Sequence, residues 1–270
     1  MLRTFNESPF LDKFEKKEHE KPKVSIILPA RNEEKFIEKC LDSLIKQDYD
    51  NYEIVTINDS SNDATGDIIK KYSKKFPKVI SVDAKPKPDG WIGKNWACIE
   101  GYKKASGDLL LFTDADTTHT GSVISLAVSH LLSLELDALT VIPRMLCLDK
   151  ITKITLPMIS TFLHTRFSAL RVNDTSKGTG YFFGSFFIIK KSTYDSVGTH
   201  ESVKGELVED GALGKKVKES DFKMRMVRGE HLLDAVWARD MHTLWNALKR
   251  LMISFYLQNA KMAVASFFGV

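Results

Sequence analysis

Short apolar runs separated by polar clusters repeat along the first half of the chain, and each run has the length of a strand. Lys23-Val24-Ser25-Ile26-Ile27-Leu28-Pro29 opens the pattern and is closed by a proline, which cannot donate to a ladder. After the polar stretch Ala30 to Glu34, the residues Phe36, Ile37, Cys40, Leu41, Leu44 and Ile45 recur at helical spacing. Tyr52 to Ile57 predicts a second strand, and Ile68, Ile69 and Tyr72 mark the helix after it. Val79 to Val82 predicts a third strand, and the turn-rich Pro86 to Lys94 leads into a helix that runs towards Ala105. Leu109 to Phe112 is uninterrupted by polar residues, as in a strand buried on both faces. A helix around Ser122 to Leu134 and a strand at Ala138 to Ile142 continue the alternation. Strand and helix in strict succession predict an α/β fold with a mostly parallel, Rossmann-like central sheet flanked by helices.

Beyond residue 142 the pattern is looser, and a smaller subdomain is expected there. Residues 156–170 carry Phe162, Phe167 and Leu170 at helical spacing, interrupted by His164 and Arg166. Lys177 to Ser185 mixes glycines with aromatic residues before a β-rich run, a composition that suits close approach of a ligand or of another backbone. Residues 222–227 and 232–237 read as a closing pair of strands. The predicted boundaries are a charged leader at 1–22, a main folded unit at 23–240 divided near 142, and a terminal amphipathic helix at 241–270. In the leader, Phe5, Phe10, Leu11 and Phe14 suggest an amphipathic lead-in helix. In the terminal helix, Leu244, Leu248, Leu251, Met252 and Phe255 share a side, with Trp245, Lys249 and Arg250 near its start. Such a helix either lies in a lipid interface or packs on the core. The apolar stretch 262–270 is expected to continue into a membrane-spanning segment of a longer natural chain.

Composition narrows the function classes. A chain of 270 residues that is 43% hydrophobic and 27% charged has the balance of a globular domain. A net charge of +4, with lysine and glutamate interspersed, is too weak to indicate nucleic acid as a partner. Cys40, Cys98 and Cys147 are far apart and have no metal-ligand spacing, which reads as buried thiols in a reducing, cytoplasmic compartment. The leader lacks the apolar core of a signal peptide, and no run of 18 or more apolar residues occurs.

The candidate chemistry lies where the strands end. Asp114 and Asp116 follow the fourth strand, and ligands of open α/β sheets bind outside the carboxyl ends of strands. Two adjacent carboxylates repel unless a cation such as Mg2+ or Mn2+ joins them, although an ordinary turn with two solvated aspartates has the same letters. Asn58-Asp59-Ser60-Ser61-Asn62-Asp63-Ala64-Thr65 holds more polar side chains than helix capping needs. Lys94 at a helix start is either solvated or faces a diphosphate beside free backbone N–H groups. Glu209 and Asp210 either complement a helix dipole or supply a general base.

Taken together, Ile27-Leu28-Pro29-Ala30-Arg31-Asn32-Glu33-Glu34, Asn58 to Thr65 and Asp114-Ala115-Asp116, in that order and spacing, resemble glycosyltransferase family 2 with its GT-A fold. Gly90-Trp91-Ile92-Gly93-Lys94 is similar to the subgroup of hopanoid-associated, carotenoid and ceramide glycosyltransferases. Phe183 to Ile189 and Val208-Glu209-Asp210 resemble that family's acceptor-side strand and its Glu-Asp catalytic motif, and Gly198-Thr199-His200-Glu201 its Gly-Gly-His turn.

The resemblance implies an inverting, metal-dependent transferase that moves a sugar from a nucleotide diphosphate, UDP-linked, to a hydroxyl of a lipid or polyprenyl-type acceptor. It assigns Pro29, Ala30, Glu33 and Asp59 to uracil and ribose with Arg31 and Asn58 beside them, Lys94 to the diphosphate or base, and Asp114 to the ribose or sugar. Asp116, with Asp114, would hold Mg2+ or Mn2+. Asp210, assisted by Glu209, would be the base, and Trp91, Gly184, Ser185 and His200 would face the sugar or acceptor. A lipidic acceptor implies work at the cytoplasmic face of a membrane.

Two departures matter. Asn58 stands where the family has an aspartate, and the Gln-x-x-Arg-Trp motif of processive synthases is absent, which argues against a polysaccharide synthase. Two rivals remain at this stage: a nucleotide-sugar-binding protein without turnover, and a phosphatase of the haloacid-dehalogenase type, whose nucleophile motif resembles Asp114-Ala115-Asp116-Thr117.

Overall fold

The computed structural model describes residues 7–150, 152–156, 161 and 166–256. Strands β1 (Val24–Ala30), β2 (Tyr52–Asn58), β3 (Val79–Asp83) and β4 (Leu109–Phe112) are joined by helices α1 (Ile37–Leu44), α2 (Thr65–Lys75) and α3 (Gly93–Tyr102). There follow β5 (Thr117–His119), α4 (Val123–Ser133), β6 (Ala138–Ile142), β7 (Arg144–Cys147) and α5 (Ala169–Val172). The chain continues through β8 (Phe187–Lys190), α6 (Lys191–Ser196), a 3-10 turn at His200–Val203, α7 (Glu209–Glu219), β9 (Met224–Arg228), β10 (Leu233–Ala238) and α8 (Met241–Tyr256).

Seven strands form the main sheet in the order β3-β2-β1-β4-β8-β6-β9, in which β8 alone runs antiparallel to its neighbours. In register, Ile27 lies between Val55 and Phe112. The pleat sends Ile26, Leu28, Leu109 and Leu111 to one core, against Ile37, Leu41 and Val128. It sends Ile27, Leu110 and Phe112 to the other, against Ala97, Leu213 and Val217. Helices on both faces are what the uninterrupted apolar runs require.

A second, three-stranded sheet has the order β5-β10-β7. Residues 222–227 and 232–237 do supply two strands, as expected, but the two do not pair with each other. β9 pairs with β6 in the main sheet, whereas β10 pairs with β5 and β7. A turn in which Leu232 and Leu233 both donate to the Gly229 carbonyl redirects the chain between the sheets. A side chain at Gly229 would collide with Val141, its Cβ falling 2.3 Å from Val141 Cγ1.

The leader also departs from expectation. From Ser8 to Pro22 it contains no helix: Phe10 packs on Arg228 and His231, Phe14 on His130, and Leu11 is buried, so its apolar residues are engaged singly along the extended chain. It instead lies along β9, where Leu11 N–H donates to the Arg228 carbonyl at 2.8 Å and Arg228 N–H to the Pro9 carbonyl at 2.7 Å. Leu11 is fully buried, and the segment covers what would be an open sheet edge. The expectations for Phe5, Phe162, His164 and the apolar stretch 262–270 lie outside the described residues. On α8, Leu244 is buried and Trp245 exposed. Among the described residues no helix is long and apolar enough to cross a membrane.

Candidate functional site

Parallel strands β1, β2 and β4 end on the same edge of the sheet at which the antiparallel β8 begins, so four backbone segments converge there. The edge opens into a cavity of about 570 Å³. Pro29, Ala30, Arg31, Glu33, Asp59, Lys94, Asp114, Asp116, Gly184, Ser185, Glu209 and Asp210 all line it. Asp116, at the end of the fourth strand, and Asp210, at the start of α7, thus share one space although 94 positions separate them in the chain.

The excess of polar residues after β2 has a structural cause. Asn32 N–H donates to Ser61 Oγ, Glu33 N–H to Thr65 Oγ1, and Glu34 N–H to Asp63 Oδ2, while Asn62 N–H returns to Asn32 Oδ1 and Ala64 N–H to Glu34 Oε2. Two loops are laced into one wall, and Asp59 N–H adds a bond to the Ala30 carbonyl. Asn32 and Ser60 adopt left-handed backbone (φ 56° and 54°) at the crossing, a conformation that asparagine tolerates better than most residues. Asp59 and Glu33 remain directed at the cavity. Asn58 does not line it: its amide donates to Asp83 Oδ1 at 3.0 Å and its oxygen accepts from Ser61 N–H.

Among the described residues, six acidic side chains line the cavity against three basic ones, Arg31, Lys94 and Arg250. Lys94 Nζ, from the first turn of α3, lies 2.8 Å from Asp114 Oδ1 and 2.7 Å from Glu209 Oε1, so it ties the strand end to the start of α7. Burial opposes its charge, but Asp114, Glu209 and Asp210 together hold the ammonium well above the usual lysine range. Asp210 accepts from Gly184 N–H at 2.7 Å and from Gly211 N–H at 2.8 Å. Burial, followed by the neighbouring Glu209 charge, still pushes its carboxyl up to about 7. Gly184 must be glycine for this contact, since a Cβ there would fall 2.7 Å from Asp210 Oδ2 and 3.0 Å from Lys94 Nζ.

Asp116 is likewise pushed up to about 7, by burial first and then by the charges of Asp114 and Glu33. Burial also raises Glu33 despite the adjacent Arg239, and Asp59 despite Arg31, which lies 3.7 Å away. Carboxyl groups driven upward on one wall mark negative charge the protein leaves uncompensated. Among the described residues no three or more His, Cys, Asp or Glu side chains close on a point as a complete metal cage. A hard cation held by one carboxylate plus ligand oxygens fits this donor set, as Mg2+ commonly binds.

Two of the predicted acceptor residues are placed elsewhere. Trp91 packs edge-on against Trp96 at 5.2 Å and does not line the cavity. His200 is buried behind the site, bonded through Nδ1 to Tyr194 Oη at 2.6 Å, and burial holds it neutral with its pKa lowered to about 3. Ser185 does reach the cavity, and its buried hydroxyl has no hydrogen-bond partner among the described residues. Arg239 escaped the sequence reading. It follows β10, donates to Glu33 Oε2 and lies 3.5 Å from Asp116 Oδ2. A basic residue just past a strand's carboxyl end was the available signal, but the mistaken pairing of β9 with β10 hid that the strand ends at the cavity.

A family model described as glycosyl transferase family 2 matches residues 25–198. The chain is 40% identical over 101 residues to a probable glycosyltransferase, YdaM, of Bacillus subtilis, a match spanning 37% of this chain and 24% of that protein. It is 26% identical over 209 residues to the 4,4'-diaponeurosporenoate glycosyltransferase of Staphylococcus haemolyticus, spanning 77% of this chain and 54% of that one. The chain therefore matches only about a quarter to a half of the length of these curated relatives. Among solved structures, the mannosyltransferase PcManGT of Pyrobaculum calidifontis, in complex with GDP-Man and Mn2+, superposes with a TM-score of 0.67 at 19% identity. That match covers 97% of this chain and 70% of the other. Staphylococcus aureus TarS in complex with UDP superposes with a TM-score of 0.53 at 17% identity, over 87% and 65% of the two chains. Both are likenesses of fold.

Proposed function

The chain belongs to glycosyl transferase family 2, and on that premise we propose that it transfers a sugar, with inversion, from a UDP-linked donor to a hydroxyl of an apolar acceptor. The observation that carries this reading is that Asp116 and Asp210, far apart in the chain, line the same cavity. The donor half is the laced wall, where Pro29, Ala30, Arg31, Glu33 and Asp59 receive the nucleoside and Asp114 the ribose or sugar.

Asp116 would hold Mg2+ or Mn2+ there, and the ion when bound neutralises charge on the leaving diphosphate. Asp210 accepts the proton of the acceptor hydroxyl while that oxygen bonds to the anomeric carbon and the bond to the diphosphate breaks. A carboxyl near 7 is matched to this task at neutral pH, because it is substantially ionised yet basic enough to take a proton. The N–H groups of Gly184 and Gly211 fix the direction in which it points. Attack from the side opposite the leaving group inverts the anomeric centre. Lys94, shared between Asp114 and Glu209, keeps the donor and acceptor halves in register.

An apolar acceptor is supported by the apolar part of the cavity lining, which includes Met145, Tyr181, Phe183, Leu207 and Val208. The similarity to a protein named for a carotenoid-type acceptor points the same way. Exposed Met241 and Trp245 on α8, beside Lys249 and Arg250, would let the enzyme work at a membrane surface. The buried thiols Cys40, Cys98 and Cys147 fit the cytoplasmic side. The phosphatase arrangement needs its aspartate after the first strand, whereas Asp114 follows the fourth. Incubation with UDP-sugars, Mn2+ and lipid extract, followed by NMR of the product, tests the reading. A glycolipid of inverted anomeric configuration supports it, and retained configuration or no transfer from any donor refutes it.

A further inference from the structure

We propose that Arg239 is an internal stand-in for the cation at Asp116, so that its guanidinium must leave that carboxylate before a divalent ion can bind. The inference rests on reading Asp116 as the cation-binding carboxylate, and it assigns a role to a residue that reading does not use.

Arg239 enters the site from the junction of β10 and α8, and three contacts hold its guanidinium. Nη2 donates to Glu33 Oε2, the same nitrogen lies 3.5 Å from Asp116 Oδ2, and the group stacks over the Phe36 ring at 4.6 Å. Phe36 and the Glu33 bond fix the guanidinium beside the strand end. The contact with Asp116 is the long, single-nitrogen one, and it is the one that can be given up. The junction itself is rigid: Arg239 N–H donates to Thr243 Oγ1, Thr243 N–H returns to Asp240 Oδ1 at 2.7 Å, and Leu244 is anchored in the core.

The charges on this wall explain why a stand-in is needed. Glu33, Asp114 and Asp116 crowd together in a partly desolvated corner, and without a positive charge their repulsion would fall on the laced loops. Arg239 supplies one unit of charge, which balances the corner without filling it. Asp116 would exchange Arg239 for a divalent ion when diphosphate oxygens help to hold it, since such an ion would supply more charge, and Arg239 would stay on Glu33. Two consequences follow. The empty site is protected from collapse, and cation binding without nucleotide is weak because it must compete with the guanidinium.

The test is Mn2+ binding to the full chain, read by electron paramagnetic resonance of free Mn2+, with and without UDP. Arg239→Gln is expected to bind Mn2+ about tenfold tighter than wild type in the absence of UDP, the scale of one partly buried charge competing for a carboxylate. Arg239→Lys, which keeps the charge but not the planar fork, should bind between the two and serves as the test if the glutamine variant does not fold. Arg31→Gln removes a charge from the same cavity but from Asp59, so it should change Mn2+ binding far less. Unchanged or weaker binding by the folded Arg239 variants would overturn the inference and leave the donor reading in place. An equal gain from Arg31→Gln would also overturn it, because only the general field would then matter. Failure of wild type and variants alike to bind Mn2+ in the presence of UDP would refute the cation reading itself, and this inference with it.

Discussion

Asp210→Asn separates chemistry from folding more cleanly than any other substitution in the cavity. The amide matches the carboxylate in size and cannot take a proton, so loss of a positioned base should lower kcat by about 10²- to 10⁴-fold. Donor affinity should change little, because Asp210 is not among the residues assigned to the nucleoside. The stability effect has a definite sign. The folded-state pKa of Asp210 is raised from 3.8 to about 7, so the folded protein prefers the protonated form. Its contribution is fully present below pH 4, is lost progressively as pH rises towards 7, and is flat beyond. A shift of that size corresponds to at most about 4 kcal/mol, and solvent reaching the half-buried group and its coupling to Glu209 reduce this to about 1–2 kcal/mol. The variant has no such loss. Its amide meets one of the two backbone N–H donors with an N–H of its own, a mismatch the hydroxyl oxygen of the protonated acid avoids, so the variant carries a constant cost that does not vary with pH. The stability of wild type relative to Asp210→Asn in melting curves should therefore be highest near pH 4 and fall by pH 7.5. Released-nucleotide kinetics at saturating donor would read kcat on the same samples. A variant as active as wild type, or one destabilised more at pH 7.5 than at pH 4, would refute the assignment.

Gly184→Ala places a methyl group 2.7 Å from Asp210 Oδ2, so kcat should fall at least tenfold with little change in donor KM, measured by the same kinetics. Lys94→Met leaves Asp114 and Glu209 facing each other without their shared cation, and should cost about 2–4 kcal/mol in chemical denaturation. His200→Phe breaks the bond to Tyr194 Oη and should lower the melting temperature by several degrees, a loss of about 1–2 kcal/mol. Because His200 is already neutral above pH 3, that variant should leave the pH–rate profile of transfer unshifted between pH 5 and 8.

Much of the architecture could be read from the sequence because period and burial coincide in it. Leu109 to Phe112 sends alternate residues into two cores, and only a strand covered on both faces needs four apolar residues in a row. Asp114 and Asp116 could be placed because a strand end in such a sheet is also a cavity edge. The antiparallel direction of β8 could not be read, since a buried strand has the same composition in either direction. The fate of β10 could not be read either, because the turn at Gly229 that carries it to a second sheet is set by contact with Val141, which is remote in sequence. With that strand misplaced, Arg239 had no visible connection to the site. His200 misled for a related reason: a histidine in a family-like turn looks the same whether it faces a ligand or, as here, a buried tyrosine.

The claim that a cation-binding Asp116 and a basic Asp210 work on one sugar from two sides of a cavity is tested most directly by a released-nucleotide assay. Wild type, Asp116→Asn and Asp210→Asn would be compared over a panel of UDP- and GDP-sugars with Mn2+ and lipid acceptor. The account predicts acceptor-dependent UDP release by wild type and near-complete loss in both variants, with Asp210→Asn still binding UDP and Mn2+ in calorimetry and Asp116→Asn losing the metal. Tight, metal-dependent nucleotide binding by the wild type with no release from any donor, or full activity in either variant, would contradict it.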